Sequence, residues 1–522
     1  MTILPLGSAV AQSSATWRRW NVTSTKGQEM AKVLAAAIRM LHSQKVEDPF
    51  NMYRYAMTHT MDCPHGNWWF LPWHRGYMGY FEQICRRVTG VKDFAIPYWD
   101  WSRVQEVPAV MYEPWLTPTT PGFIPAFNDF YGAFAKQLDY MYHKEFTSDQ
   151  LAELKIRNYT TADDMWKDIK DPPNGPMFFN ISQARGLKKE NPKLDEFTSN
   201  SASKTQVLLS LSPSDFITFG SAKAAHHSDM SGFGPLEMFP HNKIHNCVGG
   251  IVYDIAGQPI RDNGGFMQAN LSPVDPIFFL HHSNMDRLWD VWTRKQIAYK
   301  KPTTPQGTDK DAWEAEPFLF FVDDSGKVAP HYAKEFVEIG KFDYDYEPGT
   351  GEEVVPKSPV AVAANAAPGL TQGRVVASAL GAGAPASAKF NLASSTPSDA
   401  PLFAKVVIDI PAGGFGSTYK ILLNAPADTR NIGPGNPHFV ELISFFGHDM
   451  MSGQISVVVP LRGQQAASMR ALKEQTLSVV REDGHGAGNG RNLKLNKGMA
   501  MSGGGHEVGN GARLVSVDIL SQ

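Results

Sequence analysis

Two groups of histidines, separated by a long stretch of chain, constrain this fold more than any other feature. The first runs from His59 through Cys63-Pro64-His65 to Phe70-Leu71-Pro72-Trp73-His74-Arg75. The second begins with Pro240-His241-Asn242-Lys243-Ile244-His245 and resumes at Asp275-Pro276, continuing to His281-His282-Ser283-Asn284-Met285-Asp286-Arg287-Leu288-Trp289. Each histidine alone reads as a satisfied core or surface residue. Together their spacing points to metal. His241 and His245 lie one helical turn apart, so their rings share a face. His282, on a different and very apolar helix, can supply a third ligand. His74, His65 and His59 can form a second set of three. Six imidazoles without a thiolate or carboxylate at matching spacing suit copper better than the mixed donor sets usual for zinc or non-haem iron. Two copper ions are therefore expected, with open positions for O2 as co-substrate.

Periodicity places these residues on helices. Met30, Val33, Leu34, Ala37, Ile38 and Leu41 predict an amphipathic helix over Gln28–Gln44. A second helix is expected from Asp48-Pro49 to His59. A third spans Pro72–Arg87 with Pro72 as its first residue, and a fourth runs from Asp275-Pro276 to about Trp292. After Tyr346 the character changes. Val354–Ser398 is rich in Ala, Pro, Gly and Ser and reads as a linker or loose wrap. Six β-branched runs follow: Ala404–Ile410, Tyr419–Leu423, Phe439–Phe445, Ile455–Leu461, Thr476–Val480 and Leu514–Leu520. Gly484–Gly511, with Met499, Met501 and His506, reads as a solvated loop. The expected architecture is a mainly α domain, a four-helix bundle with long loops, over 1–347. A linker over 348–400 and a β-rich domain over 401–522 complete it.

Composition narrows the partners. At 522 residues, 42% hydrophobic and with a net charge of −3, the chain has no basic run for nucleic acid or an anionic membrane. No apolar stretch approaches the roughly 18–20 residues of a spanning helix, so a soluble protein is expected. Three cysteines, Cys63, Cys85 and Cys247, argue against a disulfide scaffold and lean towards a reducing, cytoplasmic setting. Met1–Gln12 lacks a basic start and reads as a flexible end. Homo-oligomer formation is left open.

Phe-Leu-Pro-Trp-His74-Arg75 and the stretch from Asp275-Pro276 to Trp289 resemble the two copper signatures of the tyrosinase, catechol oxidase and haemocyanin superfamily. The resemblance covers roughly Trp17–Pro348. It implies His59, His65 and His74 as CuA ligands, and His241, His245 and His282 as CuB ligands. The second histidine of the His281-His282 pair is the ligand in the family. Relatives often place a longer stretch before the second CuA ligand, which makes His42 the distant alternative to His59. His42 itself reads as a helix-end residue interacting with the dipole.

The resemblance also implies a Cys63–His65 thioether, and a water held by Glu237 and Asn242. It places Ala269 where plant-type enzymes carry a bulky gate residue. Asp286 is expected to orient a ligand's other ring nitrogen. Tyr344-Asp345-Tyr346 resembles the mark closing the family's catalytic domain, with Arg18 or Arg19 packed on it. The β-rich domain stands where relatives carry a lid, with Phe445 or Phe446 as the shielding ring. The activity implied is hydroxylation of monophenols to o-diphenols and their oxidation to o-quinones, as in melanin-type pigment formation. Small phenols would be its substrates. Catechol oxidase, o-aminophenol oxidase and an oxygen carrier of the haemocyanin type remain alternatives.

Overall fold

The computed structural model describes every residue except 1–14, 124–126, 171–184, 255, 262–264, 358–368, 381–384, 393–399, 412–416, 447–452, 472–473, 483–510 and 522. Met1–Gln12 and nearly all of Gly484–Gly511 thus lie outside the described residues.

Six helices frame the histidines: α1 (Thr25–His42), α2 (Met52–Asp62), α3 (Phe70–Thr89), α4 (Ser148–Ile156), α5 (Asn242–Gly249) and α6 (Ile277–Ala298). Local chemistry sets their ends. The Ser24 side chain caps α1, and Asn51 accepts from the Tyr53 and Arg54 N–H groups to start α2. Gly90, at φ 72°, terminates α3 in the left-handed conformation that glycine adopts without strain. The third helix begins at Phe70, two residues before the expected proline. Pro72 still falls in the first turn, where a missing N–H leaves no bond unmade. Every residue of α6 from Ile277 to Trp289 is buried, so it is the central helix of the bundle and runs on to Ala298. Among the described residues no helix is long and apolar enough to cross a membrane.

The short strand β1 (Trp17–Arg19) pairs in parallel with β3 (Tyr344–Tyr346), and β2 (Gly232–Phe233) lies between them in sequence. Arg19 donates to the Tyr346 hydroxyl at 2.8 Å and stacks over the Tyr344 ring, while Arg18 pairs with Asp345. Both arginines therefore pack on the Tyr-x-Tyr mark.

All six expected β-runs are strands: β7 (Leu402–Ile410), β8 (Thr418–Leu423), β9 (Phe439–Ile443), β10 (Gly453–Leu461), β11 (Gln475–Glu482) and β12 (Arg513–Ser521). The supposed linker adds three more, β4 (Gly369–Gln372), β5 (Arg374–Ala377) and β6 (Ala386–Phe390). Its low-complexity sequence hid them, because β4 and β5 lie at sheet edges and bury few side chains. The two sheets have orders β9-β8-β11-β6-β5 and β2-β10-β7-β12-β4.

The helical part thus lends β2 to the second sheet, Gly232 and Phe233 pairing with Ser456 and Val457. A Cβ on Gly232 would lie 2.4 Å from the Ser456 carbonyl oxygen, so only glycine permits this approach. Phe233, Met238 and Phe239 join the β-domain's core. Beside them Lys243 of α5 pairs with Glu441 of β9 at 2.7 Å, both side chains at most 1% exposed. The β-rich part is docked on the segment that carries His241 and His245.

Candidate metal centre

The first histidine group is built by the turn between α2 and α3. His59 lies in the last turn of α2, His74 one turn into α3, and His65 in the loop between them. Donor atoms of His59, Cys63, His65 and His74 all lie within 4.8 Å of one another, every residue buried. His59 Nδ1 meets the Asn270 carbonyl at 2.8 Å, and His74 Nδ1 the Phe70 carbonyl at 2.7 Å. In the second group His241 closes a single π-turn (Glu237–His241) and His245 follows on α5. His245 Nδ1 meets the Met267 carbonyl at 2.8 Å, and His241 Nδ1 the Asn242 side-chain oxygen at 2.9 Å. The two groups touch: the His74 and His282 rings stack at 4.2 Å with a 5° interplanar angle.

These acceptors fix the chemistry. A carbonyl can only accept, so Nδ1 carries the proton and Nε2 keeps its lone pair. The Nε2 atoms of His245 and His282 face one another at 3.1 Å, and that of His241 is buried without a protein partner. Burial pushes the His74 and His245 rings down to about 3, and His241 and His282 well below the ordinary histidine value. Neutral rings with convergent lone pairs are what a metal cation requires and what a hydrogen-bonded core does not produce. The donor set fits two copper ions, one at each group.

The structure redistributes several expected roles. Asp286 orients no imidazole. It accepts from Arg75 Nε at 2.6 Å, from Arg19 at 3.1 Å and from the hydroxyls of Tyr344 and Tyr346. Two guanidiniums capture a buried carboxylate more strongly than a neutral ring would. His42 packs on Phe123 and Tyr53, and burial holds its ring down near 3, so it carries no charge for the helix dipole. It stands apart from the histidine groups, which leaves His59 in the cluster.

Asn242 orients the His241 ring, and its amide donates to the Met238 sulfur. Glu237 spans the two groups: one oxygen accepts from the Gly66 N–H at 2.7 Å and the other from the Ser221 hydroxyl. Burial pushes its carboxyl up to about 8, against both bonds. Ala269 is buried between Met267 and Asn270, whose carbonyls hold a ligand of each group. Cys63 Sγ lies 3.6 and 3.7 Å from the two nitrogens that flank Cε1 of His65.

His281 also enters the second group, its ring stacked at 5.2 Å on His241. Of the two expected shielding rings, Phe446 is the one beside both groups, 4.2 Å from His245 and 5.2 Å from His65. Sequence reasoning missed the orienting carbonyls of Phe70, Met267 and Asn270, since a backbone oxygen leaves no mark in residue identity.

Residues 36–295, which hold both groups, match the common central domain of tyrosinase. A chloroplastic polyphenol oxidase of Spinacia oleracea is 26% identical over 340 residues, 61% of this chain and 45% of that protein. A tyrosinase of Hahella sp. (strain CCB-MM4) is 26% identical over 290 residues, 55% of this chain and 47% of that protein. The matched stretch thus spans under half the length of these relatives. Among solved structures, latent apple tyrosinase superposes with a TM-score of 0.58 at 16% identity, over 98% of this chain and 99% of that one. Latent aurone synthase (polyphenol oxidase) from a natural source gives 0.58 at 16%, over 98% and 91%. These two likenesses establish the fold, helical core and β-rich part together. The cytoplasmic lean is corrected. The plant relatives are chloroplastic by name, and all three cysteines here are buried, Cys63 within the histidine site, so their number reports packing and not compartment.

Proposed function

The chain belongs to the tyrosinase and polyphenol oxidase family, and from that premise we propose that it uses O2 to hydroxylate monophenols to o-diphenols and to oxidise these to o-quinones. One observation carries the reading: two buried sets of imidazoles whose donor atoms converge beneath an apolar ring. His59, His65 and His74 hold CuA, and His241, His245 and His282 hold CuB. His282 is preferred to His281 because its Nε2 faces that of His245 and its ring stacks on His74 of the other set. When bound, the copper pair supplies the two-electron activation of O2.

The protein's own residues position the substrate and move its proton. A phenol has a pKa near 10, so little phenolate exists at pH 7. Glu237 is the carboxyl group that links the segments of both sets, which supports it as the base, acting through a water. Cations nearby draw its raised pKa back down. Ala269 leaves room for the ring, and Asn242 acts through His241 as a positioning residue. Phe446 covers the site, which supports a latent enzyme opened by displacing the β-rich part.

Oxygen uptake with a phenol, a catechol and an o-aminophenol tests the reading. Glu237→Gln is expected to depress monophenol turnover by about 10²-fold more than catechol turnover. Asn242→Gly is expected to lower both alike. Turnover of catechol or o-aminophenol without phenol would make the protein an oxidase alone. Reversible O2 binding without turnover would make it a carrier.

A further inference from the structure

A second histidine cluster lies outside the copper site. His226 and His227, Glu153 of α4, Glu316, and Asp62 at the end of α2 meet in one place. Donor atoms of Glu153, His226 and His227 lie within 4.8 Å of one another. His227 Nδ1 is held by Glu316 at 2.7 Å, and His226 Nδ1 lies 2.6 Å from the Ser228 hydroxyl and accepts from the Ser228 N–H at 3.3 Å. Both Nε2 atoms therefore point at carboxylates: His226 at Glu153 Oε2 at 3.1 Å, His227 at Asp62 Oδ1 at 3.2 Å and Glu153 Oε1 at 3.4 Å. Glu153 Oε1 also accepts from Arg157, and the second Asp62 oxygen, Oδ2, accepts from Trp73.

These distances are informative. A charge-assisted N–H···O bond is about 2.7–2.9 Å long, the length His227 Nδ1 makes to Glu316. At Nε2 every approach is longer and shared among oxygens. Ligands about 2.0–2.1 Å from a tetrahedral zinc ion stand about 3.3 Å apart, close to the 3.1 and 3.4 Å that separate the two Nε2 atoms from the Glu153 oxygens. Charge agrees. Three carboxylates against one arginine leave two formal negative charges, which a divalent cation balances once it displaces the proton His227 otherwise carries.

We propose that His226 Nε2, His227 Nε2 and Glu153 form a zinc-class divalent cation site separate from the copper pair. Two imidazoles with carboxylates are a borderline donor set, unsuited to calcium or magnesium, which take oxygen. The site ties α4 and the 226–227 loop to the helix end that carries His59. Arg157 braces the same place by donating to the Asp62 and Cys63 carbonyls, both at 3.0 Å. His226 keeps 29% of its side chain exposed, which gives a cation its entry.

The test is metal analysis of copper-loaded protein equilibrated with zinc chloride and desalted. One zinc per chain beside two coppers is expected, with at least tenfold weaker retention in Glu153→Gln and in His226→Ala while copper stays at two. His226 is partly exposed, so its variant reports binding even where the Glu153 variant folds poorly. No zinc in the wild type, or equal zinc in both variants, overturns the proposal.

Discussion

The copper site and His227 of the Glu153–His226–His227 cluster present equally buried histidines, yet the two places set opposite charge states. At the first, rings face backbone carbonyls and one another, and burial drives His74 and His245 down to about 3. At the second, burial also works against charge on His227. The bonds to Asp62 and Glu316 and the charge of Glu153 outweigh it and lift the ring to about 9. Glu153 is correspondingly held down to about 2, the bond to His226 and the charges of His227 and Arg157 overcoming its own burial. Burial alone therefore does not decide what a histidine can bind. The company of carboxylates does.

The most damaging way to break this contrast is to remove a ring. His245→Ala should reduce copper from two ions to one per chain and cut phenol and catechol oxidation by more than about 100-fold, beyond what changes behind a ligand cost. Full activity with one copper would end the dicopper reading.

A subtler variant imports the second cluster's chemistry into the first. Cys63→Asp sets a carboxylate where Sγ now lies 3.6 Å from His65 and 3.5 Å from His74. An opposite charge favours protonated rings, so copper affinity near pH 6 should fall about 10- to 100-fold, with Cys63→Ser as control. Equal affinity in both variants would show that charge is not the deciding factor.

The third test follows stability in protein prepared without zinc. A folded value of about 9 against an ordinary 6.5 means His227 stabilises the fold fully below pH 6.5 and loses this as pH rises through about 9. The amount is about 3 kcal/mol. The thermal midpoint should drop between pH 6.5 and 9, and His227→Gln should flatten that drop. Parallel curves would remove His227 as the cause.

A smaller difference is expected from cover. Phe446 lies over the copper site, whereas the second cluster opens to solvent through His226. Phe446→Ala should lower the apparent KM for catechol severalfold with little change in kcat. The smallest effect is covalent. Peptide mapping of copper-loaded protein should find Cys63 joined to His65 with two hydrogens lost, and ready alkylation of Cys63 would contradict the bond.

Much of this was legible beforehand. The helices bearing the ligands followed from apolar periodicity and caps, and the six strands from β-branched runs between turns. His241 and His245 were readable because a four-residue spacing is local. What escaped was non-local. Asp286 sits one turn from His282, but Arg19 and Arg75 claim it, and Arg19 comes from the far N-terminal side of the chain. Asn242 follows a ligand, and only the folded turn directs its oxygen to that ligand's own ring. The strands inside Val354–Ser398 exist because β11 offers an edge to β6, β6 in turn to β5, and β12 to β4.

The amino-acid sequence by itself determined which side chains can donate to metal and on which helices they ride, since both depend on residue type and short-range spacing. Only the tertiary structure decided which ring nitrogen faces the ion, which histidine keeps a proton and which phenylalanine covers the site. Those outcomes depend on carbonyls and carboxylates delivered from distant segments, and an electrostatic field summed over remote groups has no signature in the spacing of any one motif.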